Sequence, residues 1–229
     1  MDITFLGHAS FRIEIEDQVL LIDPWLSGNP VLNATDHERA VAGATHILIT
    51  HGHFDHAGDA FRLSQELNAP LVGMNDLMGY FADQGADVIG YNRGGTVKLG
   101  NVDVSLVNAV HSSSLKTDKG HIHFAAESGF MIKGEGHMIY FSGDTDVMAD
   151  MEWFGDYYKP DIGIVCAGGH FTMDMDKVAY ASNRYFNFKT LIPCHYKTFP
   201  RLEQTADALI AALPDVNVIE PEVMKTIKI

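Results

Sequence analysis

The stretch ITHGHFDHAG (residues 49–58) places three histidines and an aspartate within six consecutive positions directly behind an apolar run. In a shuffled chain of this composition H-x-H-x-D-H arises by chance with a probability of roughly 0.003, so the pattern demands a reason. Histidines two apart in an extended segment project to the same side, while the adjacent Asp55 and His56 begin the next turn. One loop can therefore offer ligands to two neighbouring ions. Gly52 and Gly58 leave room for that crowding. The competing reading is a solvated polar loop, but several uncharged imidazoles in one place have few uses besides metal binding.

Outward from this loop the same pattern recurs. HILIT runs into His51, VDVSLVNAV into His111, HMIYFSG into Asp144 and TLIPC into His195. Each apolar run reads as a strand that stops at a metal-competent residue. Functional groups of layered α/β folds gather where strands end, so four segments of this kind can converge on one edge. Any one of them alone reads as structural; together they favour a site.

The remaining elements follow from periodicity and turn residues. DITFLG, SFRIEIE and QVLLIDP predict an opening three-stranded meander with a polar turn at residues 16–18. After HILIT, HAGDAFRLSQEL predicts a helix, APLVGM a strand and DLMGYFADQG a helix ended by Gly85. GTVKLG, VDVSLVNAV, ESGFMIKGEG and HMIYFSGD are β-rich. The chain then alternates: DVMADMEWFGDYY (helix), DIGIVCA (strand), DMDKVAYASNRYF (helix), TLIPCH (strand), RLEQTADALIAAL (helix) and a final VNVIE. Two mixed sheets packed together with helices outside is the economical layering for that order, in one domain spanning residues 1–229. The Met and aromatic residues of MNDLMGYFADQ and MADMEWFGDYY recur at helical spacing and read first as core, leaving a homo-oligomer contact open.

Composition bounds the function. With 46% hydrophobic and 20% charged residues the chain has ordinary globular composition. A formal charge of −14, from 16 basic against 30 acidic residues, argues against a nucleic-acid partner, although a bound dication can reverse the local potential for a small anionic substrate. No apolar stretch approaches the ~20 residues of a bilayer span, and MDITFLGHAS lacks the features of a secretory signal, so no membrane association and a cytoplasmic location are expected. Cys166 and Cys194 each end an apolar run and suit buried free thiols.

T-H-x-H-x-D-H-x-G at 50–58, an isolated His111, G-D-T at 143–145 and the late C-H at 194–195 together resemble the metallo-β-lactamase superfamily, in an order that covers nearly the whole chain. LGHASF, DPWLSGNP and GGHFTMD further resemble its branch of bacterial metal-dependent hydrolases related to ascorbate-6-phosphate lactonases. The resemblance implies an αββα sandwich with a dinuclear site at one edge. It implies His51, His53 and His111 on one divalent ion, Asp55, His56 and His195 on the other, Asp144 bridging them, and Asp23 supporting without binding. Departures from other branches narrow the choice. Asp144 stands where zinc β-lactamases carry Cys, and Gly52 where flavodiiron proteins carry an acidic residue. Little chain after His195 remains for a glyoxalase II substrate domain, and no basic arm suits a ribonuclease Z.

The chemistry of such a site is hydrolysis of a lactone, another ester or a phosphoester of a small molecule. Two dications form hydroxide near neutral pH and polarise the scissile group, so no Ser or Cys nucleophile is needed. N/O ligation suits Zn first, with Mn, Fe or Ni as alternatives. Asp55 is a candidate to orient the attacking hydroxide. His8 and His170 each follow a glycine past a strand and are candidates for substrate binding or proton donation, against the plainer readings of a hydrogen-bonded support and a helix-start turn. His37, His46, His121, His123 and His137 read as structural or surface. Residues 112–127 read as a mobile loop over the pocket, and Lys116, Lys119 and Lys197 are the basic candidates nearest to it, although they read first as solvated surface lysines. The alternative function is a catalytically degenerate metal-binding or interaction protein on the same sandwich.

Overall fold

In the computed structural model, residues 1–118, 120–123 and 126–229 are described; Lys119 and part of the 112–127 loop lie outside the described residues. The first half runs β1 (Asp2–Gly7), β2 (Ser10–Ile15), β3 (Gln18–Ile22), α1 (His37–Val41), β4 (His46–Ile49), α2 (Phe54–Ala57), α3 (Ala60–Leu67), β5 (Leu71–Met74), α4 (Asn75–Ala82) and β6 (Val88–Tyr91). The second half comprises β7 (Thr96–Leu99), β8 (Val102–Asn108), β9 (Ser114–Thr117), β10 (Gly120–His123), β11 (Ser128–Gly134), β12 (His137–Phe141), α5 (Asp150–Tyr158), β13 (Ile162–Cys166), α6 (Met175–Tyr185), β14 (Thr190–Cys194), α7 (Asp207–Ala212), β15 (Asn217–Val218) and β16 (Thr226–Lys228).

Two seven-stranded mixed sheets result, ordered β16-β1-β2-β3-β4-β5-β6 and β15-β14-β13-β12-β11-β8-β7. Both follow one plan. In the first, the β1-β2-β3 meander is antiparallel and β3 through β6 are parallel. In the second, β7, β8, β11 and β12 pair antiparallel and β12 through β15 parallel. Consequently β1, β3 and β4 in one sheet share a direction, as do β8, β12, β13 and β14 in the other. Their carboxyl ends, where side chains are free of the ladder, gather the residues the site needs.

The sheets pack through Ile3, Phe11, Ile13, Leu20 and Ile22 on one side and Val104, Leu106, Phe130, Ile132 and Phe141 on the other. The Phe11 and Phe141 rings meet edge to face at 5.8 Å. Strand β4 shows why its run is continuously apolar: Leu48 faces this inter-sheet core while Ile47 and Ile49 face the outer layer, with Leu63, Leu77, Met78 and Phe81 from α3 and α4. Burying each such side chain contributes about 1.5–3 kcal/mol, which makes the strand's position, and hence that of His51 behind it, costly to shift. The expected αββα layering is what the chain adopts.

Several elements depart from expectation. The helix expected from His56 to Leu67 is broken at Gly58 and Asp59 into α2 and α3. A Cβ at Gly58 would stand 2.3 Å from the Phe54 carbonyl oxygen. The buried Asp59 carboxylate is recruited by another segment, accepting from Leu26 N, Ser27 N and Ser27 Oγ, each at 2.7 Å. The last helix shortens to Asp207–Ala212, because Gln204 turns back to donate to the carbonyls of Phe199 and Leu202. Strands β6 and β16 and helix α1 had no counterpart in the expected order. Within 112–127 the described residues form a β9–β10 hairpin. Cys166 and Cys194 are buried free thiols, and no helix among the described residues is long and apolar enough to cross a membrane.

Candidate metal centre

Asp23, just past β3, organises the histidine-rich loop without entering its centre. Its carboxylate accepts from Thr50 N at 2.8 Å, Thr50 Oγ1 at 2.6 Å and His56 Nδ1 at 2.8 Å. With Nδ1 of His56 donating outward to Asp23, Nε2 points inward, where it is buried with no hydrogen bond among the described residues. Thr50 acts likewise on His51. Its hydroxyl hydrogen goes to Asp23, so its oxygen receives His51 Nδ1–H at 3.0 Å and leaves His51 Nε2 facing the centre, 2.9 Å from His53 Nδ1. The backbone at Gly52 runs close against β9: a Cβ there would stand 3.2–3.3 Å from the Ser114–Leu115 backbone, a tighter contact than side chains usually make.

Asp144 arrives from the other sheet. It follows Gly143, whose φ of +59° and 2.4 Å clearance between a built Cβ and the Ser128 carbonyl oxygen admit only glycine. Its Oδ2 lies 3.0 Å from His195 Nε2, 3.4 Å from His56 Nε2, 3.5 Å from His111 Nε2 and 4.0 Å from His51 Nε2. One carboxylate oxygen thus faces four imidazoles from three segments, while Asp144 Oδ1 is buried with no hydrogen bond among the described residues. His195 adopts φ +58° behind β14, and its backbone N donates to the His8 carbonyl at 2.7 Å, joining the two sheets at the site.

His8 also has positive φ, and both its ring nitrogens are engaged: Nδ1 with Thr198 Oγ1 and Nε2 with Asp55 Oδ2, each at 2.9 Å. Potential ligand atoms of His8, Asp55, His56 and His195 converge within 4.8 Å of one another, as do those of His51, His53 and His111, and of His51, His56 and Asp144. All seven candidate ligands are therefore brought together, with His8 beside them. His170 is not: it is exposed and its ring rests on Phe171 at 4.5 Å. Gly169, at φ +81°, opens a turn closed by its N–H donating to the Met173 carbonyl at 2.9 Å, and His170 lies exposed on that turn.

The electrostatics fit a cation. Burial pushes His51, His53 and His111 below the usual histidine range, keeping them neutral and able to donate a lone pair. Burial lowers His8 to about 4, with His195 reinforcing and Asp55 opposing. Burial opposes ionisation of Asp55 and Asp144, yet the facing histidines hold both carboxyls below the normal range. His56 moves the other way: against the effect of burial, Asp144, Asp23 and Asp55 raise it well above the usual value. Three carboxylates around one imidazole retain a proton when no stronger positive charge is supplied. The partnerless His56 Nε2 and Asp144 Oδ1 complete a donor set of nitrogen and oxygen that suits divalent metal.

The chain matches the β-lactamase superfamily domain over residues 2–195. The chain belongs to the metallo-β-lactamase superfamily. It falls among that superfamily's UPF0173 metal-dependent hydrolases, being 62% identical over 230 residues to the member from Dinoroseobacter shibae, with 100% of each chain covered. The member from Paracoccus denitrificans is 58% identical over 228 residues, covering 99% of each. Among solved structures, Igni18, a metallo hydrolase from the hyperthermophilic archaeon Ignicoccus hospitalis, superposes with a TM-score of 0.85 at 27% identity, covering 100% of this chain and 98% of that one. In this member of the metallo-β-lactamase superfamily the cluster opens onto a cavity of about 700 Å³.

That cavity holds what the loop pattern did not reveal. Phe54, Phe171, Phe199 and Pro200 form its walls, and Arg201 is its basic residue among the described lining. The expected lysines are elsewhere occupied: Lys197 pairs with Glu220 and Lys116 borders a separate depression near Tyr80. His121, expected at the surface, is exposed and contributes to the cavity lining. Thr50 and Thr198, whose hydroxyls orient His51 and His8, carry no signal in sequence beyond adjacency to a ligand.

Proposed function

We propose that this protein is a dinuclear metal-dependent hydrolase acting on a lactone, another ester or a phosphoester of a small molecule. In this reading His51, His53 and His111 hold one ion, Asp55, His56 and His195 the other, and Asp144 serves both. The observation that supports it most is the position of Asp144 Oδ2, between His111 and His51 of one triad and His56 and His195 of the other. Zn is the first choice, with Mn, Fe or Ni compatible with the same donors.

Bound dications supply Lewis acidity and lower the pKa of water toward ~7. The chain's own residues do the rest. Asp55, whose carboxyl stays ionised, orients the attacking water as an acceptor, and His8 Nε2 holds the Asp55 carboxylate in place. Asp23 and Thr50 keep the inward nitrogens of His56 and His51 unprotonated in the metal-loaded enzyme. The aromatic walls restrict bulk water at the reacting bond. Free buried thiols suit a reducing compartment such as the cytoplasm.

The test is elemental analysis of protein purified without chelator, wild type beside His51→Ala and Asp144→Ala, followed by chromogenic ester, lactone and bis-phosphate substrates. About two metals per wild-type chain, loss in both variants and chelator-sensitive turnover are expected. A wild type that takes up no metal after reconstitution with Zn or Mn sinks the hydrolase and leaves the binding-protein alternative.

A further inference from the structure

The cavity beside the cluster is mostly apolar, an unusual outlook for a site of imidazoles and carboxylates. Phe54 and Phe171 are 56% and 53% exposed, and both line it. Exposed aromatic rings grouped at one cavity, rather than scattered, mark a surface that is covered in use. Part of this wall is held in place. Phe54 packs edge-on against Trp25 at 5.6 Å, and Trp25 against Phe199 at 6.0 Å, so the wall is built before any ligand arrives. Trp25 is itself fixed by its indole N–H donating to the Ser27 carbonyl at 2.8 Å.

Against this wall stands Arg201. It follows Phe199 and Pro200 directly, lines the same cavity and makes no ion pair or side-chain hydrogen bond among the described residues. In a chain with 16 basic and 30 acidic residues, an arginine left without a carboxylate beside an apolar wall is set apart. Its guanidinium presents a fork of donors suited to a carboxylate or phosphate.

We propose that the substrate is amphiphilic: a hydrolysable ester or lactone whose apolar body of several carbons lies on Phe54, Phe171 and Phe199, and whose anionic end is read by Arg201. This rests on the hydrolase reading for the reacting bond, but the apolar and anionic subsites are properties of the chain that binding alone can measure. Small polar metabolites leave the aromatic wall wet, and uncharged lipids leave Arg201 unanswered.

The experiment is calorimetric binding to the zinc-treated protein of butanoate, octanoate and the eight-carbon dicarboxylate suberate, for wild type, Phe171→Ser, Arg201→Ala and Arg201→Lys. Both substituted side chains are exposed, so folding is not at stake. Octanoate is expected to bind at least about tenfold tighter than butanoate, from four further methylenes partly buried, and Phe171→Ser to shrink that ratio. Arg201→Ala is expected to weaken suberate about fivefold more than octanoate, the scale of an exposed ion pair, with Arg201→Lys recovering part of the difference. Replacing suberate by 7-phosphonoheptanoate distinguishes a phosphate tail from a carboxylate tail. Equal affinities for butanoate and octanoate overturn the apolar subsite, and equal losses of suberate and octanoate in Arg201→Ala overturn the anionic one. Failure of the hydrolase reading appears separately, as absent metal uptake and absent ester turnover.

Discussion

Asp55 is the residue on which structure and chemistry press hardest. Its Oδ2 lies 2.9 Å from His8 Nε2 and 3.7 Å from both His56 Nε2 and His195 Nε2, so one oxygen is shared between a hydrogen-bonded support and the cluster. Replacing Asp55 by Asn keeps an oxygen and the shape but removes the charge. At saturating zinc and matched metal content, Asp55→Asn should lower ester turnover by at least about 100-fold, the usual scale for a positioned acid or base. Retained metal with unimpaired turnover would remove the water-orienting role. Titration at the same cluster gives a second residue-scale expectation, for the chelated protein. His8 is lowered from 6.5 to about 4, so between those values the unfolded chain binds the proton and the folded one does not. Stability is therefore lost as pH falls through that window, by up to about 3 kcal/mol from His8 at ~1.4 kcal/mol per unit. His56, raised above 6.5, contributes stability that is complete below that value and is lost as pH rises through its folded pKa. Thermal melts of the metal-free protein should accordingly peak near pH 6.5, and His8→Gln should flatten the acid side. A melting temperature that climbs steadily from pH 6.5 to 4 would contradict the sign for His8, and one that climbs as pH rises above 6.5 the sign for His56.

At the scale of elements, the loop that decides the fold was readable because a metal site forces its own residue types. HILIT and TLIPC were readable because a strand buried on both faces has no freedom to be polar. The break between α2 and α3 was not readable. Nothing in FDHAGDAFRLSQEL announces that Asp59 turns to another segment, since its partners Leu26 and Ser27 lie more than thirty residues away. The same limit hid β16, which joins the sheet only by reaching the first residues of the chain. Arg201 escaped notice because the expected lysines sit closer in sequence to the histidine loop and the C-H motif, while the cavity selects by space. His170 was singled out because glycines precede it past a strand; its ring is left exposed, and the next residue, Phe171, is the one that lines the cavity. The Asp59 bond set makes its own prediction. Asp59→Ala leaves Leu26 N, which is buried, and Ser27 N without their acceptor, and should cost about 2–4 kcal/mol by urea unfolding. Asp59→Asn should recover part of this through its remaining oxygen. A loss below about 0.5 kcal/mol would mean that the DPWLSGNP loop is anchored by something else.

For the whole molecule, the site is also where the two sheets are tied. Asp23, His51 and His56 come from the first sheet's edge, and His111, Asp144 and His195 from the second's, with backbone bonds from His195 N to the His8 carbonyl and from Ser128 N to the Thr50 carbonyl crossing directly between them. Ions held by ligands from both halves bind the folded state and have no comparable site in the unfolded chain, so their binding free energy adds to stability. At concentrations 100 to 1,000 times the dissociation constant each ion contributes about 2.7–4.1 kcal/mol. In a chain of this length a kilocalorie moves the melting temperature by about 2–4 °C. On the proposal of two ions, zinc should therefore raise it by more than about 10 °C over the chelated protein. The overall charge of −14 acts in the same direction, because the cations relieve repulsion among carboxylates that the fold has brought together. The control is Asp144→Ala, which removes the carboxylate facing both triads and should lose most of the zinc-dependent increment, each increment being measured against the same variant's chelated form. A zinc increment of equal size in wild type and Asp144→Ala would show that the metal binds elsewhere, and that the convergence of strand ends on Asp144 serves packing alone.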